Sequence, residues 1–247
     1  MTALPPAAAA RARRTALSAA LCAGITAALT AVTGCGEDPD AGTNGVGKLD
    51  APAIEERAKA AVDGAQSVRL TGTLVSKGGT YKLNMRLKKA GGSGSVTTKN
   101  STFALLRVGD ELYLKADRDF WKQAGGTSAE KLDDKYVRVP EDDPTYKQLR
   151  GFTEMATLLD GVLDLHGPLS KGAYDTVGGS RTIKVLGGEG SGGTLDVSLK
   201  GSPYPLRFAR AGGAGVLTLA DWNEAFELTA PEKGESVDYG RELPRTK

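Results

Sequence analysis

The segment Tyr81–Lys88, YKLNMRLK, decides the fold of this chain. Four apolar residues alternate strictly with four polar ones, and the apolar set is Tyr81, Leu83, Met85 and Leu87. Successive side chains of a β-strand point to opposite faces, so this alternation predicts a strand with one buried and one solvated face.

The same period of two recurs along the chain. Val68, Leu70 and Leu74 form a preceding strand, joined to Tyr81–Lys88 by a Gly-rich turn. Further strands are predicted over residues 95–98, 103–108, 112–115, 136–139, 181–186, 194–200, 205–211, 216–220 and 226–228, and Phe120-Trp121 is expected to open another. Short turns join most of these strands, which favours an antiparallel meander.

Two longer stretches have helical spacing instead. In residues 51–66, Ile54, Ala58 and Val62 fall on one narrow, Ala-rich face, and Pro52 suits a first helical turn. Residues 144–165 are the second stretch, with a break expected at Gly151. The chain is therefore predicted to be an α+β domain: a strongly curved antiparallel sheet of about ten strands, a half-barrel, with helices packed on its concave face.

The first 34 residues have the order of a secretion signal. Arg11, Arg13 and Arg14 precede an apolar run over residues 15–32. The run ends in Val-Thr-Gly-Cys, which resembles the bacterial lipobox, in which the cysteine thiol (here Cys35) receives diacylglycerol and becomes the first residue of the mature protein. An uncleaved membrane helix is the alternative, because the run is almost long enough to cross a bilayer. Export by the general or by the twin-arginine route stays open.

These features give a domain plan. Residues 1–34 are the signal, 35–50 the acylated cysteine and a flexible Gly- and Asp-rich tether, 51–240 the folded domain, and 241–247 a disordered tail. The expected location is the extracytoplasmic face of the cell membrane, with the diacylglyceryl group on Cys35 as anchor.

Composition argues against several classes of function. The formal charge of +2 falls to about −1 when the three signal arginines leave, too little positive charge for nucleic-acid binding. Cys22 leaves with the signal, so the domain has no thiol for a disulfide or a metal. His166 is the single histidine, and no Gly-x-Ser-x-Gly motif supplies a nucleophile. We therefore expect no enzyme activity, no metal and no cofactor.

One hairpin carries a family resemblance. Leu106–Lys115, LRVGDELYLK, followed by Phe120-Trp121, resembles the hairpin of actinobacterial envelope lipoproteins of the LppX/LprA/LprF/LprG type, which share the LolA/LolB fold. The order of lipobox, tether, helix and strands is similar too. The resemblance implies a half-barrel closed by helices around an apolar cavity that takes up acyl chains of glycolipids or of lipoproteins.

The expected function is therefore lipid or acyl-chain binding by a membrane-anchored carrier or chaperone. The residues expected to line the cavity are apolar positions of the predicted strands: Leu70, Leu74, Leu83, Met85, Leu87, Leu195, Val197 and Leu199. Alternatively, the helices fill the sheet and these residues form an ordinary core. In that case the chain is a non-enzymatic interaction or sensor lipoprotein, which binds an unknown protein partner through the solvated face of its sheet. That face would carry Lys82, Arg86, Lys88, Lys184 and Lys200.

Overall fold

A computed structural model describes residues 40–76, 78–123 and 129–238. The predicted signal, Cys35 with its lipobox, the first part of the tether and the tail 241–247 lie outside these residues.

Within the described residues, twelve strands form one sheet. They are β1 (Ser67–Ser76), β2 (Gly79–Lys88), β3 (Gly91–Thr97), β4 (Thr102–Val108), β5 (Glu111–Ala116), β6 (Tyr136–Val139), β7 (Leu169–Val177), β8 (Ser180–Gly187), β9 (Thr194–Ser198), β10 (Pro205–Ala209), β11 (Gly215–Ala220) and β12 (Ser236–Asp238). Their order across the sheet is β12-β6-β5-β4-β3-β2-β1-β11-β10-β9-β8-β7. All neighbouring strands are antiparallel except β12 and β6, which are parallel.

The described helices are α1 (Ala51–Gly64), α2 (Arg118–Gln123), α3 (Ala129–Leu132), α4 (Tyr146–Gly151) and α5 (Met155–Val162). The Asp50 side chain caps α1 by accepting a hydrogen bond of 3.0 Å from the Ala53 amide. Apolar residues of these helices pack on one face of the sheet, and that face is the concave one. The α+β half-barrel expected from the sequence is thereby confirmed. No helix of the described residues is long and apolar enough to cross a membrane.

The register of β1 and β2 explains why YKLNMRLK is so informative. Leu70 pairs with Met85 and Gly72 with Leu83, so the apolar residues of both strands lie on the concave face. The polar residues between them, such as Lys82 and Arg86, are exposed on the outer face.

Several boundaries expected from the sequence are wrong. β3 begins at Gly91 rather than at residue 95, because glycine permits a close approach of β4: a Cβ at Gly91 would lie 2.0 Å from the Arg107 carbonyl oxygen. Trp121 opens no strand. It lies in α2, fully buried, and its indole N–H donates to the Ala116 carbonyl at 3.2 Å.

The ends of the sheet also differ from expectation. The sequence predicted no strand over residues 169–177, where the structure has β7. Apolar and polar residues do not alternate clearly in β7, because it is an edge strand that is mostly exposed and irregular between Lys171 and Tyr174. Residues 226–228 form no strand. They cross the outer face of the sheet, and the last strand is β12, paired with β6.

The predicted tether is shorter than residues 35–50. Asn44 donates through its backbone to the Leu199 carbonyl at 2.9 Å and through its side chain to the Ser198 carbonyl at 3.0 Å. Val46 is 5% exposed and packs with Ile54 and Leu199. Residues 44–49 thus belong to the folded unit, because one buried valine and a polar anchor outweigh the low hydrophobicity of their neighbours.

Candidate functional site

The apolar residues on the concave face form two separate clusters. The first joins β1–β6 and β11 to α2–α5. The second joins β8–β10 to α1 and Val46. Leu163, just after α5, packs partly against both clusters, and Val62 of α1 packs partly against the first. The concave face is therefore covered in two parts, with a seam between them.

The eight residues expected to line one cavity are divided between these clusters. Leu70, Leu74, Leu83, Met85 and Leu87 belong to the first. Leu195, Val197 and Leu199 belong to the second. All eight are at most 7% exposed. In the part of the chain that the structure describes, the eight residues are thus divided between two clusters, and Leu195 and Leu74 each line a different opening described below.

A groove runs along the seam, between α1 and α5. It consists of two adjoining clefts of about 250 and 240 Å³, which share Val62, Asp63, Leu159 and Asp160. Ala58, Leu163, Leu195 and Pro205 complete the apolar lining of the first cleft, and Met155 and Ala156 that of the second. We call it the α1–α5 groove.

The helical period places these residues in the groove. Ala58 and Val62 are four residues apart on α1, and Met155 and Leu159 are four apart on α5, so each pair lies on one helix face. The spacing alone found these faces in the sequence. Nothing in the sequence indicates that the faces of α1 and α5 lie opposite each other, because this depends on tertiary packing.

Charged side chains line the rim of the groove. The carboxylates are Glu55, Asp63, Glu154, Asp160 and Asp164, and the cations are Lys59 and Lys89. Lys59 forms an ion pair of 3.0 Å with Glu55. The rim is therefore predominantly acidic, and it disfavours an anionic group at the mouth of the groove.

A smaller opening, of about 180 Å³, lies at the other end of the first cluster. It is lined by Leu74, Ser76, Tyr81, Gln148, Gly151, Phe152 and Leu158. The rings of Tyr81 and Phe152 are tilted against each other with centroids 5.9 Å apart.

A buried arginine fixes the connection between α4 and α5. Arg107 on β4 is 4% exposed. It donates to the Thr153 hydroxyl at 3.1 Å, the Thr153 carbonyl at 3.0 Å and the Gly109 carbonyl at 2.6 Å. Burial lowers the pKa of the Arg107 guanidinium. These bonds tie the start of α5, and so one wall of the groove, to the sheet.

On the outer face, β7–β10 carry an ion-pair network instead of separate solvated charges. Asp196 is 1% exposed and accepts from Lys184 at 3.2 Å and from Arg207 at 2.9 Å. Asp175 contacts the same two cations. The hydrogen bond from Lys184, together with those from the Thr176 amide and Arg207, holds the pKa of Asp175 well below its usual range. Lys184 is thus part of the structure, not a free surface charge.

His166 is exposed, with its Nδ1 atom 3.5 Å from Asp164. Among the described residues, no three His, Cys, Asp or Glu side chains are grouped as metal ligands would be.

Comparison with known proteins gives distant likenesses of fold. No protein-family model and no curated protein matches the chain. Among solved structures, the lipoprotein LppX of Mycobacterium tuberculosis has a TM-score of 0.44 at 16% identity, over 72% of this chain and 97% of that one. An uncharacterised conserved protein of Thermus thermophilus has a TM-score of 0.37 at 12% identity, over 76% and 98%. MucB, solved in complex with MucA, has a TM-score of 0.32 at 11% identity, over 75% and 58%.

Proposed function

We propose that this chain is a membrane-anchored extracytoplasmic lipoprotein, held by lipid on Cys35, whose domain binds an acyl chain in the α1–α5 groove. The role is one of binding, as a carrier or chaperone, rather than catalysis. One observation carries the proposal: the apolar core on the concave face is divided into two clusters, and the seam between them is an open, apolar-floored groove.

The division into clusters supplies a way to widen the groove. α1 packs with β8–β10, while α5 packs with the other half of the sheet. Ile54 and Ala58 of α1 can stay buried in the second cluster if the two helices move apart, and the contact that is lost is that of Val62 with the first cluster. Each cleft alone is smaller than the ~300–1,000 Å³ of a typical ligand site, so an acyl chain either occupies both clefts or requires the helices to move apart.

The energy of binding comes from burying methylene groups. Each contributes roughly 0.8 kcal/mol when transferred from water. The groove walls present Val62, Leu159 and Leu163 for this contact. The acidic rim then favours a lipid with an uncharged or zwitterionic head group over an anionic one, since the latter would be repelled.

Native mass spectrometry of the protein, purified from its own host in mild detergent, tests the proposal. We expect a bound mass equal to an acyl lipid beyond the anchor on Cys35. Val62→Trp fills the groove from a partly buried position. It should weaken the affinity for the lipid about 15-fold, the effect of excluding two methylenes, and so lower the bound fraction.

The matched control is Ala60→Trp, at an exposed position of the same helix outside the groove. It should leave the bound fraction unchanged. Absence of any bound lipid in the parent protein, or equal binding by the two tryptophan variants, would rule the groove out as an acyl-chain site.

A further inference from the structure

Acidic residues are absent from a continuous part of the sheet. Between Asp63 and Asp110 the chain has eight Lys and Arg residues and no Asp or Glu. Between Asp196 and Asp221 it has three Lys and Arg residues and again no Asp or Glu. The first stretch contains β1–β4 and the second contains β10 and β11. These six strands lie side by side. Of their cations, Arg107 is buried on the concave side and Arg207 is paired with Asp175 and Asp196, while the others lie on the outer face. The middle of the outer face is therefore basic, although the whole chain is nearly neutral.

One end of this basic face already holds an anionic segment. Residues 221–235, here called the C-terminal strap, contain five acidic residues and one lysine. The Glu224 carbonyl accepts from the Ser67 hydroxyl at 2.7 Å, and the Phe226 carbonyl accepts from Lys88 at 2.8 Å. The Arg86 guanidinium lies 4.9 Å from the Phe226 ring centroid. The strap thus covers the end of the face nearest the start of β1.

The opposite end of the face is not covered by the strap. There the β1–β2 and β3–β4 turns flank an open concavity of about 490 Å³, lined by Thr73, Gly78, Gly79, Thr80, Tyr81, Lys82, Thr97, Thr98, Lys99 and Asn100. Lys82 and Lys99 are exposed, and within the described part of the chain neither forms an ion pair. Two ammonium groups among threonine hydroxyls suit phosphate oxygens.

Exposed valines accompany these cations. Val75 is 37% exposed and Val216 48% exposed. Thr73, which lines the concavity, pairs with Val216 across β1 and β11, so Val216 is on the outer face next to it. Arg210 donates to the Val75 carbonyl at 3.0 Å, which places a further cation beside the valines. Apolar side chains beside Lys and Arg are the composition of surfaces that lie on membranes.

We propose that this end of the outer face, with Lys82, Lys99, Arg210, Val75 and Val216, docks on an anionic phospholipid bilayer. The cations contact lipid phosphates and the valines enter the head-group boundary. An acidic protein surface would match the cations but would not require exposed valines. The docking surface lies on the face opposite the α1–α5 groove, so it does not depend on acyl-chain binding.

The test measures partition of the full chain, carrying Cys35→Ser, onto two kinds of vesicle. One kind is pure phosphatidylcholine, and the other contains 30% phosphatidylglycerol. The ratio of the two partition coefficients isolates the charge effect, since the N-terminal apolar run contributes equally to every variant. Lys82→Gln with Lys99→Gln should lower this ratio about 25-fold, because each cation near an anionic membrane contributes roughly fivefold (~1 kcal/mol).

The matched control is Lys122→Gln with Lys147→Gln, which removes two exposed lysines from α2 and α4. It has the same net charge as the test variant and should keep the parent's ratio. Val216→Ser should weaken partition onto both kinds of vesicle. Equal ratios for the two double variants would overturn the proposal. So would a parent chain that binds poly-glutamate but does not prefer anionic vesicles, since that would identify an acidic protein as the partner.

Discussion

Replacement of Arg107 by Met should destabilise the domain through the helix that forms one wall of the α1–α5 groove. Met keeps the apolar volume but donates none of the three hydrogen bonds to Thr153 and Gly109. The Thr153 carbonyl would lose its donor inside the protein, since Thr153 is fully buried. The Gly109 carbonyl lies in a turn and can be hydrated.

The magnitude follows from these contacts. A hydrogen bond from a charged donor contributes ~1.5–3 kcal/mol, and an orphaned buried carbonyl costs ~1–3 kcal/mol. Removal of the buried charge recovers part of this lost stability, because burial already disfavours the charged form of Arg107. The expected net loss is about 2–4 kcal/mol, or roughly 4–16 °C in Tm for a domain of this size.

Urea denaturation and hydrogen exchange measure the effect. Amide hydrogen exchange should increase most in α4 and α5. A bound acyl chain should dissociate faster, because α5 forms one wall of the groove and is held less firmly in the variant. Arg86→Met on the outer face is the control. It should cost no more than ~1 kcal/mol, since it loses only a cation–π contact with Phe226. A change below about 0.5 kcal/mol for Arg107→Met would refute the role given to this arginine, since that is the usual effect of a surface substitution.

Three further predictions concern other parts of the chain. Cys35→Ser should accumulate as unprocessed precursor or appear in the medium, and should lose labelling by an alkyne palmitate analogue; membrane retention at normal size, with no label on the parent, would show an uncleaved helix instead. Gly72→Ala should cost about 3 kcal/mol or more, because its φ is +140° and a Cβ would lie 2.1 Å from a carbonyl oxygen of β11, whereas Gly64→Ala, where nothing lies within 4 Å, should be neutral or stabilising in the same denaturation assay. Stability should fall below about pH 4, because the pKa of Asp175 is lowered in the folded protein: its contribution is present above the unfolded-state pKa near 3.9 and is lost as pH falls towards the folded-state value. In urea titrations at pH 5 and pH 2.5, Asp175→Asn should therefore lose less stability than the parent, and an equal loss would contradict the assignment.

The strands were predictable from the sequence where one face is solvated. Leu83, Met85 and Leu87 alternate with exposed residues because β2 lies in the middle of the sheet with helices on one side only. β7 lacked this signal because an edge strand with both faces largely exposed needs no alternation. Trp121 was misplaced because a large aromatic residue favours strands locally, while its burial in the first cluster as part of α2 is a tertiary effect.

The candidate site was less predictable than the fold. The apolar positions of β2 and β9 were expected to share a cavity, and both sets are buried. However, β1, β11 and β10 lie between these two strands, and different helices cover them. The groove residues Val62 and Leu159 were visible only as members of two helix faces. Alternation of apolar and polar residues assigns Asp196 simply to the solvated face. It gives no sign that two cations from neighbouring strands bury this carboxylate.

Intermolecular NOEs between the ¹³C-labelled acyl chain of a monoacylglycerol, whose head group is uncharged, and the methyl groups of the protein test the central claim most directly. Acyl-chain binding in the α1–α5 groove predicts NOEs from the chain methylenes to Val62, Leu159, Leu163 and Leu195, which line it. The exposed methyls of Val75 and Val216 on the outer face should show none. A bound monoacylglycerol with NOEs to the outer-face valines but not to the groove residues would contradict the account.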